Sequence, residues 1–538
     1  MPLKRLAYPL WILFLALFAA AHAWHLRADF PNFSPWEDWS KYTDEGWYGN
    51  AAIRAHLFGN WYVPGDFNPA PAVPVWPALE WLVFSVTGVS PQAARGLAVA
   101  FFFLNLSLSY KLFRERGPRW VGLLAVTLLV TSPFIYAFSR LAILEPLLLA
   151  LTLGAMNLAI RMPRFRHKEA VAALIGLIFT GMLLTKTTAV FLLPALVWMI
   201  ALPFWNEKRR LIRMLAAAAF ASAISFSLWM LLVVSYNLFD DYKYLFFVNV
   251  YKKPHGVWER LLSFWWSFHG GLWIDIVLIP LAGLLILAAL YAWQRGTSED
   301  NPGTSPATSN NESANWTAGL WADPLFSGSV LAVAGYIGFM TYQNHPQPRY
   351  YVVIAFFSFF VVVRVTAQLL YQKARARQAG LVILALVLIT ALVNSVWTLS
   401  YVFRPQYTFV QAAQNLTRYI DEHPNGNRLL LSISGDQISL VTHLPALCDD
   451  FGTIPLPDKM ARYHPGWYAT WNDLDPGTLE DIHVHYSLEQ VAGFPAFDDP
   501  DRNVLYLFKL HPLPKPREGA DPALQAAMPG DKIDIPVE

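Results

Sequence analysis

NEKRRLIRMLAAAAFASAISFSLWMLLVVSY, residues 206–236, sets the cations Lys208, Arg209, Arg210 and Arg213 ahead of an apolar run from 214 to 235. About 20 apolar residues in a helix cross the ~30 Å hydrocarbon layer of a bilayer, so the run reads as one membrane span with a basic edge. Similar runs fall near 7–26, 93–112, 120–138, 141–160, 170–185, 188–204, 271–293, 325–343, 350–370 and 380–401, eleven in all with 214–235. The composition agrees. Hydrophobic residues make up 55% and charged residues 14%, with mean hydropathy +0.34, whereas soluble domains carry about 25% charged residues. A polytopic α-helical membrane protein of about eleven transmembrane helices is expected. The net charge of +2 gives no footing for a nucleic-acid partner. The single cysteine, Cys448, excludes an intrachain disulfide and a cysteine-based zinc site. No small-residue cleavage site follows the first run, where His22-Ala23-Trp24 stands, so it reads as an uncleaved span.

Basic patches settle the expected orientation. KLFRERGPR (111–119), RMPRFRHK (161–168), NEKRRLIR (206–213) and YQKARAR (371–377) occupy alternate connections and share a side with Lys4 and Arg5. The positive-inside rule makes that side cytoplasmic, which places the N-terminus inside and the C-terminus outside. The membrane module is read as 1–403. It includes a first external loop at 27–92, in which GWYGNAAIRAHLFG (46–59) is a helix lying along the membrane surface. Residues 294–324, rich in Ser, Asn, Thr and Pro, form a cytoplasmic linker. From 404 to 512 the composition is that of a small external α/β domain, with a helix over 408–423 and strands at RLLLSIS (428–434), HVHYSL (483–488) and NVLYLFKL (503–510). A disordered tail occupies 513–538.

The ionisable groups that the cytoplasmic patches do not explain collect at the external ends of the spans: Asp44, Glu45, Arg140, Glu145, Lys186, His345 and Arg349, with Tyr350 beside them. Each has a plain reading and a chemical one. Asp44 caps the helix starting near Gly46 and Glu45 complements its dipole, or the pair supplies a general base at the interface. In FSRLAILEPLLLAL (138–151), Arg140 and Glu145 neutralise one another, or Glu145 orients an acceptor and Arg140 faces an anion. Lys186 in LLTKTTAVFLLP (183–194) snorkels to head groups, or meets a phosphate. NHPQPRYYVV (344–353) carries His345, Arg349 and Tyr350 as an interfacial anchor, or offers a guanidinium for bidentate phosphate binding. His464, His483 and His485 read as surface histidines, with a metal site as the alternative. Asp240-Asp241 reads as a solvated turn, with divalent-ion binding as the alternative.

DEGWY in the first external loop, SRLAILEPLLLAL, LLTKTTAVFLLP and HPQPRYY together resemble the polytopic GT-C glycosyltransferases, among them the lipid A aminoarabinose transferases and the protein O-mannosyltransferases. The resemblance spans roughly residues 5–400. It implies a GT-C type fold and a polyprenyl-phosphate sugar donor, with undecaprenyl phosphate as the carrier in a bacterial inner membrane. It also implies a glycan, lipid or protein acceptor at the outer face. By the same resemblance Asp44 matches the catalytic acid of the first loop, Glu45 its neighbour, and Glu145 the acid of the second external connection, where an Asp is commoner. Lys186 and Arg349 match the donor-phosphate positions, with Tyr350, Arg140 and His345 nearby. The implied reaction is an inverting displacement, for which no cofactor is required and a divalent metal is optional. Neither a P-loop nor a dinucleotide fingerprint is present. Two other functions use the same residues: a lipid or sugar transporter or flippase, and a non-catalytic membrane anchor for the C-terminal domain.

Overall fold

The computed structural model describes residues 2–29, 44–66, 68–245, 256–260, 262, 319–343, 348–372, 374–449, 452–497 and 502–514. The expected span at 271–293, nearly all of the linker 294–324, His345 and all but the first two residues of the tail 513–538 lie outside the described residues. Within them the chain opens with α1 (Pro2–His22), α2 (Glu45–Phe58) and α3 (Val75–Thr87). A helical bundle continues with α4 (Pro91–Arg114), α5 (Arg119–Thr131), α6 (Pro133–Ser139), α7 (Glu145–Arg161), α8 (Lys168–Leu183), α9 (Leu193–Ala201) and α10 (Lys208–Ser235). It closes with the short α11 (Phe239–Lys243), then α12 (Pro324–Gln343), α13 (Tyr351–Leu370) and α14 (Ala374–Phe403).

Eleven full spans were expected. Among the described residues seven helical runs are long and apolar enough to cross a membrane, and an eighth forms if the bent pair α5–α6 counts as one. The bend of 71° falls inside the expected span 120–138. Pro133 lacks an N–H and crowds the preceding turn, so α5 stops at Thr131 and Ser132 restarts the chain by accepting from Ile135 N at 3.1 Å. The first run is shorter than expected, its apolar helix ending at His22. The bundle is that of an integral membrane protein. Its α13 is buried almost throughout and forms the centre, whereas α10 exposes Ile212, Phe220, Leu228 and Leu231, the apolar surface a lipid-facing helix presents. Small residues set the close crossings. A Cβ on Gly176 of α8 would fall 2.0 Å from the Ala218 carbonyl oxygen of α10. Toward the expected cytoplasmic patches, Arg364 of α13 pairs with Asp323 at 2.5 Å and donates to the Arg116 carbonyl.

Beyond 404 the chain forms α15 (Thr408–Glu422), β1 (Leu430–Leu431), α16 (Gly435–Thr442), β2 (Ala446–Leu447), α17 (Leu456–Tyr463), β3 (Trp467–Trp471), α18 (Pro476–Ile482), β4 (Tyr486–Pro495) and β5 (Val504–Pro512). The sheet order is β2-β1-β3-β5-β4, with β1 parallel to both neighbours and the β3–β5 and β5–β4 pairs antiparallel. Side-chain alternation divides its two faces. Leu430, Trp467, Ala469, Leu505 and Leu507 pack against α15, while Leu431, Tyr468, Phe508 and Leu510 pack with Met460, Ile482 and Val63 of the first loop.

Three local readings are corrected. RLLLSIS supplies only the two-residue strand Leu430–Leu431, because Gly435 N donates to Ser432 O and turns the chain into α16. His483 and His485 do not share a strand face. Asp475 caps α18 by accepting from Thr478 N, Pro476 takes the first helical position, and β4 begins only at Tyr486. Finally, α2 does not lie free on a membrane surface. It is covered on both sides, with Tyr48, Ala52 and Ile53 in the bundle core and Gly46, Asn50 and Arg54 against the chain around α16.

Those last three residues, spaced by four, form one polar stripe along α2. Asn50 Nδ2 donates to Asp436 Oδ2 at 2.9 Å, and Arg54 pairs with Asp66 and approaches Asp436 at 3.5 Å. Burial pushes the Asp436 carboxyl up to about 7, Arg54 pulls it down, and Asp66 raises it again. A carboxyl whose folded value exceeds its unfolded value contributes stability that is complete below about 4 and lost as pH climbs to about 7. The Asp436→Asn variant retains an oxygen acceptor for Asn50 and has no proton to lose. Thermal unfolding of the detergent-solubilised protein should show wild type losing on the order of 4 kcal/mol more than Asp436→Asn between pH 4 and pH 7. Parallel pH profiles for the two proteins would rule out a neutral Asp436.

Candidate functional site

Four segments far apart in sequence meet at one end of the bundle. Asp44 stands immediately before α2, and Glu145 opens α7 with Pro146 behind it. Lys186 leads from α8 into a 3₁₀ turn over Thr187–Leu192, and Arg349 lies in a 3₁₀ turn, Pro348–Tyr350, that runs into α13. Every one of these side chains therefore projects from a helix start or stop, where the backbone must change direction.

Asp44 makes no side-chain capping bond to α2. Its Oδ2 instead pairs with Arg349 Nη1 at 2.7 Å, and the Asp44 side chain keeps 31% exposure against 9% for Arg349. Lys186 pairs with Glu145 Oε1 in an interior setting. Tyr350 joins the two pairs: Lys186 Nζ sits 4.4 Å from its ring centroid and the Arg349 guanidinium carbon 5.4 Å. Such cation–π contacts are worth up to about 2 kcal/mol when desolvated. Burial opposes the charge on Arg349, but Asp44 together with Tyr48, Tyr350 and Glu145 outweighs it and holds the guanidinium protonated. Two buried polar atoms in the cluster have no hydrogen-bond partner among the described residues, the Arg349 Nε donor and the Glu145 Oε2 acceptor. Buried polar atoms are nearly always satisfied, and here one donor and one acceptor lie in the same cluster.

Tyr48, Thr188 and Tyr336 belong to the same neighbourhood and were not singled out from the sequence. Tyr48 is four residues beyond Asp44, one helical turn along α2. Its ring lies 6.0 Å from the Arg349 guanidinium carbon, and burial pushes its hydroxyl well above the ordinary tyrosine range. Tyr336 of α12 exchanges a 3.0 Å hydrogen bond with Thr188, two residues past Lys186. The spacing of Tyr48 was readable from DEGWY, whereas nothing in the local sequence around Tyr336 connects it to Lys186.

Glu45 and Arg140 do other work. Glu45 is buried. Its Oε1 accepts from Arg95 Nε at 2.7 Å and Ala142 N at 2.8 Å, and its Oε2 from Arg95 Nη2 at 2.6 Å and Gln437 Nε2 at 3.2 Å. Burial raises its carboxyl, Arg95 outweighs burial, and the net position is below the usual range. A carboxylate offers about four acceptor sites, and all are occupied, which leaves none for a substrate proton. Arg140 donates to Tyr136 OH at 2.5 Å, to Trp24 O at 3.0 Å and to His25 O, stapling the end of α1 to the bend after α6. Arg95 carried a signal that sequence reading passed over, a cation inside the helix α4, on the side where Arg140 had been noticed.

Among the described residues no three His, Cys, Asp or Glu side chains converge so as to hold a metal ion. Asp240 pairs with Lys243 at 3.0 Å and Asp241 is buried beside Tyr62, so the two carboxylates serve separate contacts.

No curated protein sequence matches the chain. Residues 69–231 match the family model described as dolichyl-phosphate-mannose-protein mannosyltransferase, a stretch that includes Glu145 and Lys186 but not Asp44 or Arg349. Two crystal structures of ArnT from Cupriavidus metallidurans superpose over nearly the whole length. The one bound to undecaprenyl phosphate is 12% identical, covers 92% of this chain and 98% of that one, and gives a TM-score of 0.58. The apo structure, also 12% identical, covers 93% and 98% with a TM-score of 0.59. At that identity the likeness is one of fold, and the fold of this chain is that of the GT-C glycosyltransferases.

Proposed function

We propose that the protein is a membrane glycosyltransferase that moves a sugar from a polyprenyl-phosphate donor to an acceptor hydroxyl, at the end of the bundle where Asp44 lies. The observation that carries this reading is the convergence of two carboxylates and two cations, Asp44 with Arg349 and Glu145 with Lys186, from four separate segments of a GT-C fold. The ArnT structure holding undecaprenyl phosphate supports the donor class. The basic connections support an orientation with this end outside and the N-terminus in the cytoplasm, and the reading takes the membrane to be a bacterial inner membrane with the unit 404–512 in the periplasm.

Asp44 is the base. It takes the acceptor hydroxyl proton as the oxygen forms its bond to the anomeric carbon. The bond from that carbon to the phosphate oxygen breaks, its electron pair stays on the phosphate, and polyprenyl phosphate leaves. Displacement from the opposite side inverts the anomeric centre. Arg349 and Lys186 meet the charge that grows on the leaving phosphate, an interaction stronger in the transition state than in the ground state. Glu145, with Oε2 unoccupied, orients the acceptor. The phosphodiester donor is already activated, so the chemistry calls for no nucleotide.

Purified protein in nanodiscs, given a panel of undecaprenyl-phosphate sugars and a crude envelope extract, should release undecaprenyl phosphate detectable by mass spectrometry. Asp44→Asn should cut turnover by roughly 10²–10⁴-fold and still bind undecaprenyl phosphate. Release at the wild-type rate from that variant removes Asp44 as the base. Binding without turnover for every donor shifts the reading to a transporter or an anchor.

Arg349 is tested separately. Its replacement by Ala should weaken undecaprenyl-phosphate binding by about tenfold or more, the worth of one charged hydrogen bond. Arg349→Lys should restore only part of this, because an ammonium lacks the guanidinium fork. Equal affinity for wild type and Arg349→Ala would place the phosphate elsewhere.

A further inference from the structure

We infer that Glu45 and Gln437 act as a pair of positioning residues for Asp44, so that the sheet unit beyond residue 404 completes the catalytic site instead of merely covering it. The inference rests on Asp44 being the base.

The Asp44 carboxylate contacts Arg349, a residue that must also be able to meet a phosphate. Its place is therefore set by its backbone, and the two residues that follow it are held from three directions. Gly46 N donates to Gln437 Oε1 at 2.7 Å, and Gln437 Nε2 donates to Glu45 Oε2 at 3.2 Å, so one amide grips both. Arg95 holds Glu45 from α4 with two short bonds, and Ala142 N holds it from the turn that leads into Glu145. The fit at Gly46 is close: a Cβ there would lie 2.3 Å from the Asp436 carbonyl carbon and oxygen. Glu45 thus ties the loop of one catalytic carboxylate to the turn before the other, and Gln437 is the member of this junction that comes from the C-terminal unit.

The mechanism makes this consequential. A general base is effective only within hydrogen-bond reach of its proton, and displacement of a reacting group by about 1 Å costs roughly 10²-fold. Removing the Gln437 amide frees Gly46 N and one lone pair of Glu45 while leaving Arg349 and Lys186 intact. The loss should fall on turnover and spare donor binding.

The test compares Gln437→Ala and Gln437→Glu with wild type and Asp44→Asn in the undecaprenyl-phosphate release assay, with undecaprenyl-phosphate binding and amide hydrogen exchange measured alongside. Gln437→Ala should lose about ten- to a hundredfold in kcat, keep its affinity for undecaprenyl phosphate, and exchange faster across residues 44–50 but not across α13. Gln437→Glu sets a carboxylate against Glu45. Ionised it repels, and protonated it donates to Glu45 Oε2, so its activity relative to wild type should rise as pH falls from 8 to 5.5, while the Gln437→Ala ratio stays flat. Wild-type kcat in Gln437→Ala, a flat ratio for Gln437→Glu, or loss of lipid binding in step with kcat would each overturn the inference. An active Asp44→Asn would instead overturn the assignment of the base. If Gln437→Ala does not fold, the Gln437→Glu ratio alone decides.

Discussion

The structure hinges on a buried carboxylate that has to be paired. Glu45 is 2% exposed at the start of α2. Taking a carboxylate out of water costs several kcal/mol even after the protein relaxes. Arg95 meets that cost with two hydrogen bonds from a helix of the bundle, and Ala142 and Gln437 supply the remainder from two other elements. Removing one partner from such a junction strands a charge, which typically costs 3–5 kcal/mol. The first loop, the α6–α7 turn and the C-terminal unit are therefore held to one another by electrostatics as well as by apolar contact.

Each neighbouring contact extends this junction. The stripe Gly46–Asn50–Arg54 gives α2 a polar face for the chain around α16, and Tyr48–Ala52–Ile53 gives it an apolar face for the bundle. Asp29 at the end of α1's extension accepts from Phe409 N at 2.8 Å, which anchors the start of α15 to the membrane module. Leu440 of α16 belongs to the same hydrophobic cluster as the bundle core. Continuity of this kind joins the membrane module to the C-terminal unit through α2. That helix has two partners, the bundle core and the chain around α16.

The parts legible from sequence were those governed by local or one-dimensional rules. Long apolar runs mark helices whatever their neighbours, and charge at the span ends picks out a set of seven ionisable residues, of which the structure brings Asp44, Glu145, Lys186 and Arg349 together. What escaped depended on partners remote in the chain. Glu45 sits beside Asp44 in sequence and has the same chemistry, yet its role follows from Arg95, 50 residues away, and Gln437, 392 away. Arg140 looked like a phosphate ligand until the carbonyls of Trp24 and His25 occupied it. The break at Pro133 was present in the sequence, but hydropathy averaged over a window conceals a single missing N–H.

Pairing within the site also bears on how the proposed donor would be received. Asp44 and Arg349 neutralise one another, as do Glu145 and Lys186, so the cluster carries no net charge and is tolerable near the apolar interior. On the proposed mechanism a phosphodiester brings one negative charge and competes for the guanidinium. Arg349 can keep part of its contact with Asp44 because a planar fork of five N–H donors meets two anions at once in bidentate geometry, which a compact ammonium does not offer. With the donor seated, Arg349 is on that mechanism shared between Asp44 and the phosphate. That sharing sets a requirement on Asp44: the carboxylate must remain in place while its ion-pair partner Arg349 is shared, and backbone anchoring next to it by Glu45 and Gly46 meets that requirement without adding a second cation.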